Sequence, residues 1–341
     1  MMESNFKQIL TAENRTKYFV HVLVYFFIAS IIVFAIFIIG NSSLNKDGNT
    51  KTKEKINPFE YLSLEGKGIV VFDVINKREI FSKNPDIPLP LASLTKVMTA
   101  VTTDGKLYDN QEIKITTEDL APEGDSKLVV GDTWKIKDLR DFTLLTSSND
   151  GAFALAAVAA AEGNPASDSS STVDNFIKKM NQTAAKIGLS NSKYFNSNGL
   201  DMLARTTDSV PRQNDFVGLE SGRESIMSGA YGSARDMATL LEYTLQNYPE
   251  ILEATRYKNL EFSSNEKQYP AENTNVFIDK IPNIIASKTG YTDLAGGNLL
   301  IAFDAGLNRP IIISILGSTQ EGRFTDALKL VEATITELPN L

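Results

Sequence analysis

The stretches that read as strands lie at the two ends of this chain, and the stretches that read as helices lie between them. Early on, Ile69-Val70-Val71-Phe72-Asp73-Val74 is a short apolar run, Asn76-Lys77-Arg78 a turn, and Glu79-Ile80-Phe81 a returning strand. Late in the chain, Val276–Ile278, Ile284–Lys288, Asn298–Phe303 and Pro310–Leu316 have the same character, with Asn308-Arg309 as a turn before the last. A strand leaves its backbone N–H and C=O groups unpaired until another strand joins it. The two groups, far apart in sequence, are therefore expected to meet in one antiparallel sheet. Between them, Leu139–Leu145, Asp150–Ala161, Val173–Ile187 (closed by Gly188) and Ala234–Tyr248 read as helices, and Thr325–Leu338 as a last one. Residues 112–136 read as short strands and loops, and Pro165–Ser171 as a small-polar loop. The expected class is α/β in the α+β sense: an antiparallel sheet flanked by helices plus an all-helical lobe, with a cleft between the lobes.

A second constraint lies ahead of that domain. From Tyr18 to Gly40 the chain is almost unbroken in its apolarity. At about 1.5 Å per residue such a run spans the roughly 30 Å hydrocarbon core of a bilayer. A cleaved signal peptide is the competing reading, but its apolar region is usually about 7–15 residues and ends at a small-x-small site. This run is longer, and nothing after Gly40 offers a clean site. The expected order is a cytoplasmic tail (1–17), a transmembrane signal-anchor (18–40) preceding the domain as one helix, a flexible linker (41–57) and a catalytic domain (58–341). Arg15 and Lys17 on one side and Lys46, Lys51, Lys53 and Lys55 on the other leave the positive-inside rule nearly balanced. The extracytoplasmic side is expected for the domain from its chemistry.

Two absences narrow that chemistry. The 341 residues include no Cys, and the one His, His21, lies within the apolar run. The domain therefore has no thiol nucleophile, no Ser-His-Asp triad and no Cys- or His-ligated zinc. No metal and no cofactor are expected. The net charge of −8 argues against nucleic acid as a partner. A hydrolase built from what remains needs Lys, Asp, Glu or Tyr as its base. Ser93 and Lys96 stand three apart, which on a helix places both on one face. Ser43/Lys46, Ser190/Lys193 and Ser264/Lys267 share that spacing. Only Ser93 opens an apolar-periodic helix, with Leu94, Val97, Met98 and Val101 behind it. A hydroxyl beside an amine there can be a nucleophile and its base. Two further short motifs sit at lobe-defining positions. Ser147-Ser148-Asn149 lies between two helices of the helical lobe, and Lys288-Thr289-Gly290 at the end of an apolar strand.

The set Ser93-x-x-Lys96, Ser147-x-Asn149 and Lys288-Thr289-Gly290 resembles the signature of the penicillin-recognising serine enzymes, with their β-lactamase/transpeptidase-like fold. The flanks narrow the resemblance to the serine-type D-alanyl-D-alanine carboxypeptidases, the low-mass penicillin-binding proteins. Leu91 to Ala100, Glu118 to Ser126, Phe176 to Asp201, Ser233 to Ala238 and Lys288 to Gly296 each resemble a block of that family, and the likeness covers about residues 58–341. Two departures stand out. The residue after Lys-Thr-Gly is often His in the family and is Tyr291 here. Some relatives have Arg where Thr274 stands, in Asn273-Thr274-Asn275.

The resemblance implies a role for each residue. Ser93 attacks the penultimate D-Ala carbonyl of a peptidoglycan stem pentapeptide ending in D-Ala-D-Ala, and an acyl-enzyme forms. Lys96 takes the serine proton. Ser147 relays it toward the leaving amine, and Asn149 holds Lys96 and the substrate amide. Lys288 and Thr289 bind the terminal carboxylate, and Gly290 lets the strand approach the substrate. The oxyanion hole is the backbone N–H of Ser93 and of Tyr291. β-Lactam antibiotics are implied as covalent inhibitors. A free lysine is neutral in only about one part in 2,500 at pH 7. Burial and a second cation are the two forces that raise that fraction, and Lys288 is the natural second cation. The alternatives are a D,D-endopeptidase using the same site, a class A β-lactamase with Glu162 as its nearest deacylating carboxylate, and a non-catalytic wall-binding module. Arg235 and Asp236 read as helix-start ionic partners, Asn198 and Asp201 as loop caps, and Trp134 as core.

Overall fold

The computed structural model describes residues 57–104, 107–120, 128–161, 169–203 and 226–338, together with Tyr25, Ser30 and Ile31, which are helical. The chain divides into two units between Ile56 and Asn57. The second unit, from Asn57 on, holds the sheet and its helices. The tail, anchor and linker expected over 1–57 lie, apart from Asn57 and those three helical residues, outside the described residues, as do Ala121–Ser126 and Glu162. Among the described residues no helix is long and apolar enough to cross a membrane.

Strand β1 (Gly68–Asp73) pairs with β2 (Arg78–Lys83). A 3-10 turn at Ala92–Leu94 then runs into helix α1 (Thr95–Thr103). Helices α2 (Ile136–Thr146), α3 (Asn149–Ala161), α4 (Ser169–Ile187) and α5 (Ala234–Asn247) come next. After a hairpin of β3 (Asn259–Ser263) and β4 (Gln268–Glu272) come β5 (Ile284–Thr292), β6 (Gly296–Asp304), β7 (Pro310–Ser318) and the closing helix α6 (Gly322–Glu337). The two terminal strand groups do meet. The main sheet has the order β5-β6-β7-β1-β2, and β1 joins β7 antiparallel from Gly68↔Leu316 to Asp73↔Ile311.

The central strands β1, β6 and β7 are buried on both faces, which is why they are largely apolar rather than alternating. On β7, Ile311, Ile313 and Ile315 face one core with Leu299, Ile301 and Phe303 of β6 and with Phe324, Ala327 and Leu330 of α6. Ile312 and Leu316 point the opposite way, into the larger core shared with Leu94, Val97 and Met98 of the nucleophile turn and α1 and with the middle helices. Helix α3 is apolar all round because it runs through that lobe rather than along its surface.

Four local expectations change. Ser93 sits in the 3-10 turn ahead of the α-helix, not on the helix itself. Helix α4 begins at Ser169, inside the stretch expected as loop. Val276–Ile278 is not a strand: Asn275 Oδ1 accepts from Phe277 N and the chain turns into a short 3-10 segment, Ile278–Lys280. The hairpin β3–β4 lies outside the expected strands, although Asn259–Ser263 alternates polar and apolar residues, with Leu260 and Phe262 the less exposed ones.

Candidate active site

Two backbone oddities aim the central serine. Ala92 adopts φ +48, a left-handed conformation unusual for a residue with a side chain. Its carbonyl accepts from Thr95 Oγ1 at 2.7 Å, and Gly199 lies so close that an added Cβ would come within 1.9 Å of the same oxygen. Behind the turn stands Asn298 of β6, wholly buried. Its Nδ2 donates to the carbonyls of Pro90 (2.9 Å) and Leu91 (3.0 Å), and its Oδ1 accepts from Gly317 N (2.8 Å). One side chain thus fastens the nucleophile turn to two strands. Asn298→Leu, close in shape but unable to hydrogen-bond, takes this partner from three backbone groups, of which the Leu91 carbonyl keeps Leu94 N at 3.2 Å. Unfolding by urea should show a loss of about 2–4 kcal/mol; a loss below about 0.5 kcal/mol would mean that the sheet holds the turn without this clamp.

Lys96 stands one turn later and is buried. Its Nζ lies 2.8 Å from Ser93 Oγ, 2.8 Å from Asn149 Oδ1 and 2.7 Å from the Asn198 carbonyl. Two of these partners are pure acceptors and the third is a hydroxyl. A neutral amine has two protons and one lone pair. It can donate to Asn149 and Asn198 only by turning its lone pair to Ser93, the arrangement a base needs. Burial, and the charge of Lys288 after it, hold the Lys96 ammonium well below its ordinary range.

The Ser147-Ser148-Asn149 segment joins two helices in three residues, each with its own task. Ser147 ends α2 in the left-handed region, φ 63, with its N–H bonded to the Thr143 carbonyl. Ser148 Oγ accepts from Gly151 N at 2.9 Å and so caps α3. Asn149 starts α3 and reaches Lys96. The tight connection turns Ser147 toward the sheet, where its Oγ accepts from Lys288 Nζ at 2.9 Å.

Lys288 lies in the middle of β5, not at its end as expected. Its Nζ also donates to the Thr289 carbonyl at 2.9 Å. Burial, reinforced by the nearby Arg323, lowers Lys288 to about 7. Arg323 on α6 donates from Nη1 to the Gly290 carbonyl at 2.6 Å; burial pulls it down to about 10, so it stays cationic at neutral pH. Gly290 is needed because β5 passes against the nucleophile turn. A Cβ there would lie 2.9 Å from the Leu91 carbonyl and 3.2 Å from Ser93 N. Thr289 Oγ1 shares a 2.6 Å hydrogen bond with Thr274 Oγ1.

The direction of the backbone groups on β5 comes from its pairing. The register with β6 is regular from Ala286↔Ala302 to Thr292↔Gly296. Ser287 N donates away from that partner, to Thr255 Oγ1 at 3.1 Å. Alternation gives Thr289 and Tyr291 the same outward direction. The Tyr291 N–H therefore faces the open edge, on the strand that touches the Ser93 amide.

The structure thus brings Ser93, Lys96, Ser147, Asn149, Lys288, Thr289, Gly290 and Tyr291 into one locale. Arg235 and Asp236 serve the start of α5: Arg235 Nε donates to Asp86 Oδ1 at 2.7 Å, and Asp236 N donates to Ser233 Oγ at 3.1 Å. Asn198 caps its loop through Leu200 N, at 3.0 Å, but also lends its carbonyl to Lys96. Sequence reasoning does not find Arg323 or Asn298. The one visible signal is a lone Asn in an otherwise apolar strand run.

A family model described as D-alanyl-D-alanine carboxypeptidase matches residues 51–320. The D-alanyl-D-alanine carboxypeptidase DacF of Bacillus subtilis is 26% identical over 284 residues, covering 81% of this chain and 64% of the relative. DacC of Escherichia coli is 27% identical over 79% of this chain and 61% of its own length. The chain therefore spans less than two thirds of these relatives. The D-alanyl-D-alanine endopeptidase of Escherichia coli is 27% identical, covering 76% of this chain and 74% of the relative. Among solved structures, a mutant of the Streptomyces K15 DD-transpeptidase superposes with a TM-score of 0.66 at 20% identity, over 81% of this chain and 99% of that one. Penicillin-binding protein D2 of Listeria monocytogenes, in an ampicillin-bound form, does so with a TM-score of 0.58 at 23% identity, over 80% and 98%. These two likenesses carry the fold.

Proposed function

The chain belongs to the D-alanyl-D-alanine carboxypeptidase family of serine peptidases, and from that premise we propose that it removes the terminal D-Ala from peptidoglycan stem peptides through an acyl-enzyme on Ser93. The observation that carries the reading is the buried Lys96 amine 2.8 Å from Ser93 Oγ, in a chain without Cys and with its one His at position 21. Ser93 Oγ attacks the penultimate D-Ala carbonyl while its proton passes to Lys96. The oxygen that becomes negative is met by the N–H groups of Ser93 and Tyr291. The C–N bond breaks, the leaving amine regains a proton by way of Lys96 and Ser147, and water later cleaves the ester with Lys96 again as base. Lys288 and Thr289 hold the terminal carboxylate, which is what restricts the reaction to a chain end. Asn149 keeps Lys96 in place and reaches the substrate amide. A β-lactam presents a strained amide and a carboxylate to the same groups and acylates Ser93.

The apolar run 18–40 supports a single membrane span with the domain on the extracytoplasmic side of the cell membrane, where its substrate lies. A second reading, endopeptidase action on D-Ala cross-links, draws on the endopeptidase relatives. The two separate in one experiment. The full chain is incubated with a stem pentapeptide and with a cross-linked dimer, and masses are followed. Loss of one D-Ala from the pentapeptide is expected. Faster splitting of the dimer would replace the carboxypeptidase reading, and no mass change in either would end both.

A further inference from the structure

Thr274 lies on no helix or strand, yet its segment is fastened from three sides. Its own N–H donates to the Leu145 carbonyl of α2 at 3.3 Å. Asn273, just before it, donates from Nδ2 to the carbonyls of Thr255 (2.8 Å) and Tyr257 (2.9 Å), and its Oδ1 accepts from Asn275 N at 2.8 Å. Asn275, just after it, donates from Nδ2 to Ser287 Oγ of β5 at 2.9 Å. Asn273, Asn275 and Ser287 are buried, whereas Thr274 between the two asparagines is half-buried. An irregular segment tied to α2 and to β5 at once holds one side chain in one place.

That side chain meets Thr289. The two Oγ1 atoms lie 2.6 Å apart, and at that distance a proton must sit between them, because two oxygens facing each other through lone pairs alone repel. The pair owns two protons, so one is left to point elsewhere. With nothing bound, either threonine can supply the shared proton. A carboxylate decides which. It offers acceptors only, so Thr289 has to turn its own proton to the anion, and only Thr274 can then fill the gap between the oxygens. Donation from Thr274 also strengthens Thr289 as a donor, since linked hydrogen bonds polarise one another. Thr289 is buried, and among the described residues Thr274 is the partner of its hydroxyl.

Resting on the carboxypeptidase reading, we infer that Thr274 is a positioning residue for the terminal carboxylate: it gives its hydroxyl proton to Thr289 Oγ1 and so aims the Thr289 proton at the anion. Lys288 supplies the charge, and the threonine pair supplies the direction. Thr274 acts through Thr289 and touches no reacting atom. Its contribution lies in capture of the chain end and not in bond breaking.

The test compares the full chain with Thr274→Val, which keeps the branched shape and loses the proton, and with Thr274→Ser, which keeps the proton and loses a methyl. D-Ala release from a stem pentapeptide gives kcat and kcat/KM for each. Thr274→Val should lower kcat/KM about fivefold, the scale of one hydrogen bond, and leave kcat within about twofold of the wild type. Thr274→Ser should stay within about twofold in both. In a Thr289→Val background, Thr274→Val should cost less than about twofold more, because its route to the substrate is already gone. The same fivefold loss in both backgrounds, a loss confined to kcat, a Ser variant as impaired as the Val variant, or a Val variant equal to the wild type overturns the assignment, while D-Ala release by the wild type leaves the carboxypeptidase reading standing. A wild-type chain that releases no D-Ala overturns both.

Discussion

Ser93→Ala yields a protein that folds but no longer forms a covalent adduct with a fluorescent penicillin, and its release of D-Ala falls by about 10⁴-fold or more, as when the nucleophile of an acyl-transfer enzyme is removed. Folding should survive, because the hydroxyl is a partner of Lys96 and not a support of the turn. Pro90, Leu91 and Ala92 are held through their carbonyls by Asn298 and Thr95, and Lys96 keeps Asn149 and Asn198. A gel of the labelled full chain, with circular dichroism as the check on folding, reads the result. Labelling that persists in the folded variant places the nucleophile elsewhere.

Removing the amine is expected to cost nearly as much. Lys96→Ala should slow acylation by about 10²–10⁴-fold, the usual contribution of a positioned base. Lys96→Arg should not restore it, since a guanidinium keeps its proton. The wild-type pH profile carries the sign. Lys96 works neutral, so the rate rises with pH through its lowered pKa. Lys288 works charged, so kcat/KM falls as pH passes through about 7. A bound carboxylate favours the charged form of Lys288, so the falling limb of kcat should lie at higher pH than that of kcat/KM. Stopped-flow acylation from acid to alkaline pH tests this: an Arg variant as fast as the wild type, or a rate that only falls with pH, removes Lys96 from the role of base.

Much of this is legible in the sequence, for identifiable reasons. The sheet can be anticipated because strands of a doubly buried sheet are apolar without interruption, as in Ile311–Ile313. The site can be anticipated because the absence of Cys, and of any His beyond His21, leaves few nucleophile–base pairs. What escapes shares one cause. The Asn198 carbonyl is a backbone group, Asn298 acts on backbone groups, and Arg323 reaches Gly290 from a helix 33 positions away. A single sequence displays side-chain types and local spacing, and it hides which main-chain oxygen meets which distant donor. The 3-10 turn at Ser93 is hidden likewise, since the left-handed Ala92 is imposed by Gly199 and Thr95 packing around its carbonyl.

The open edge of β5 carries a further consequence. A bare strand edge invites any stray strand to join it, and proteins commonly guard such edges with charges, prolines or bulges. Here those guards would close the site. The structure limits the opening by length instead: Thr255 Oγ1 takes the edge N–H of Ser287, leaving the short stretch from Thr289 to Thr292. So short a stretch gives a foreign strand too few hydrogen bonds to recruit it into an aggregate, yet it suffices for the end of a short peptide anchored by its carboxylate. One short gap in the sheet edge would thus admit a peptide end and exclude a longer strand.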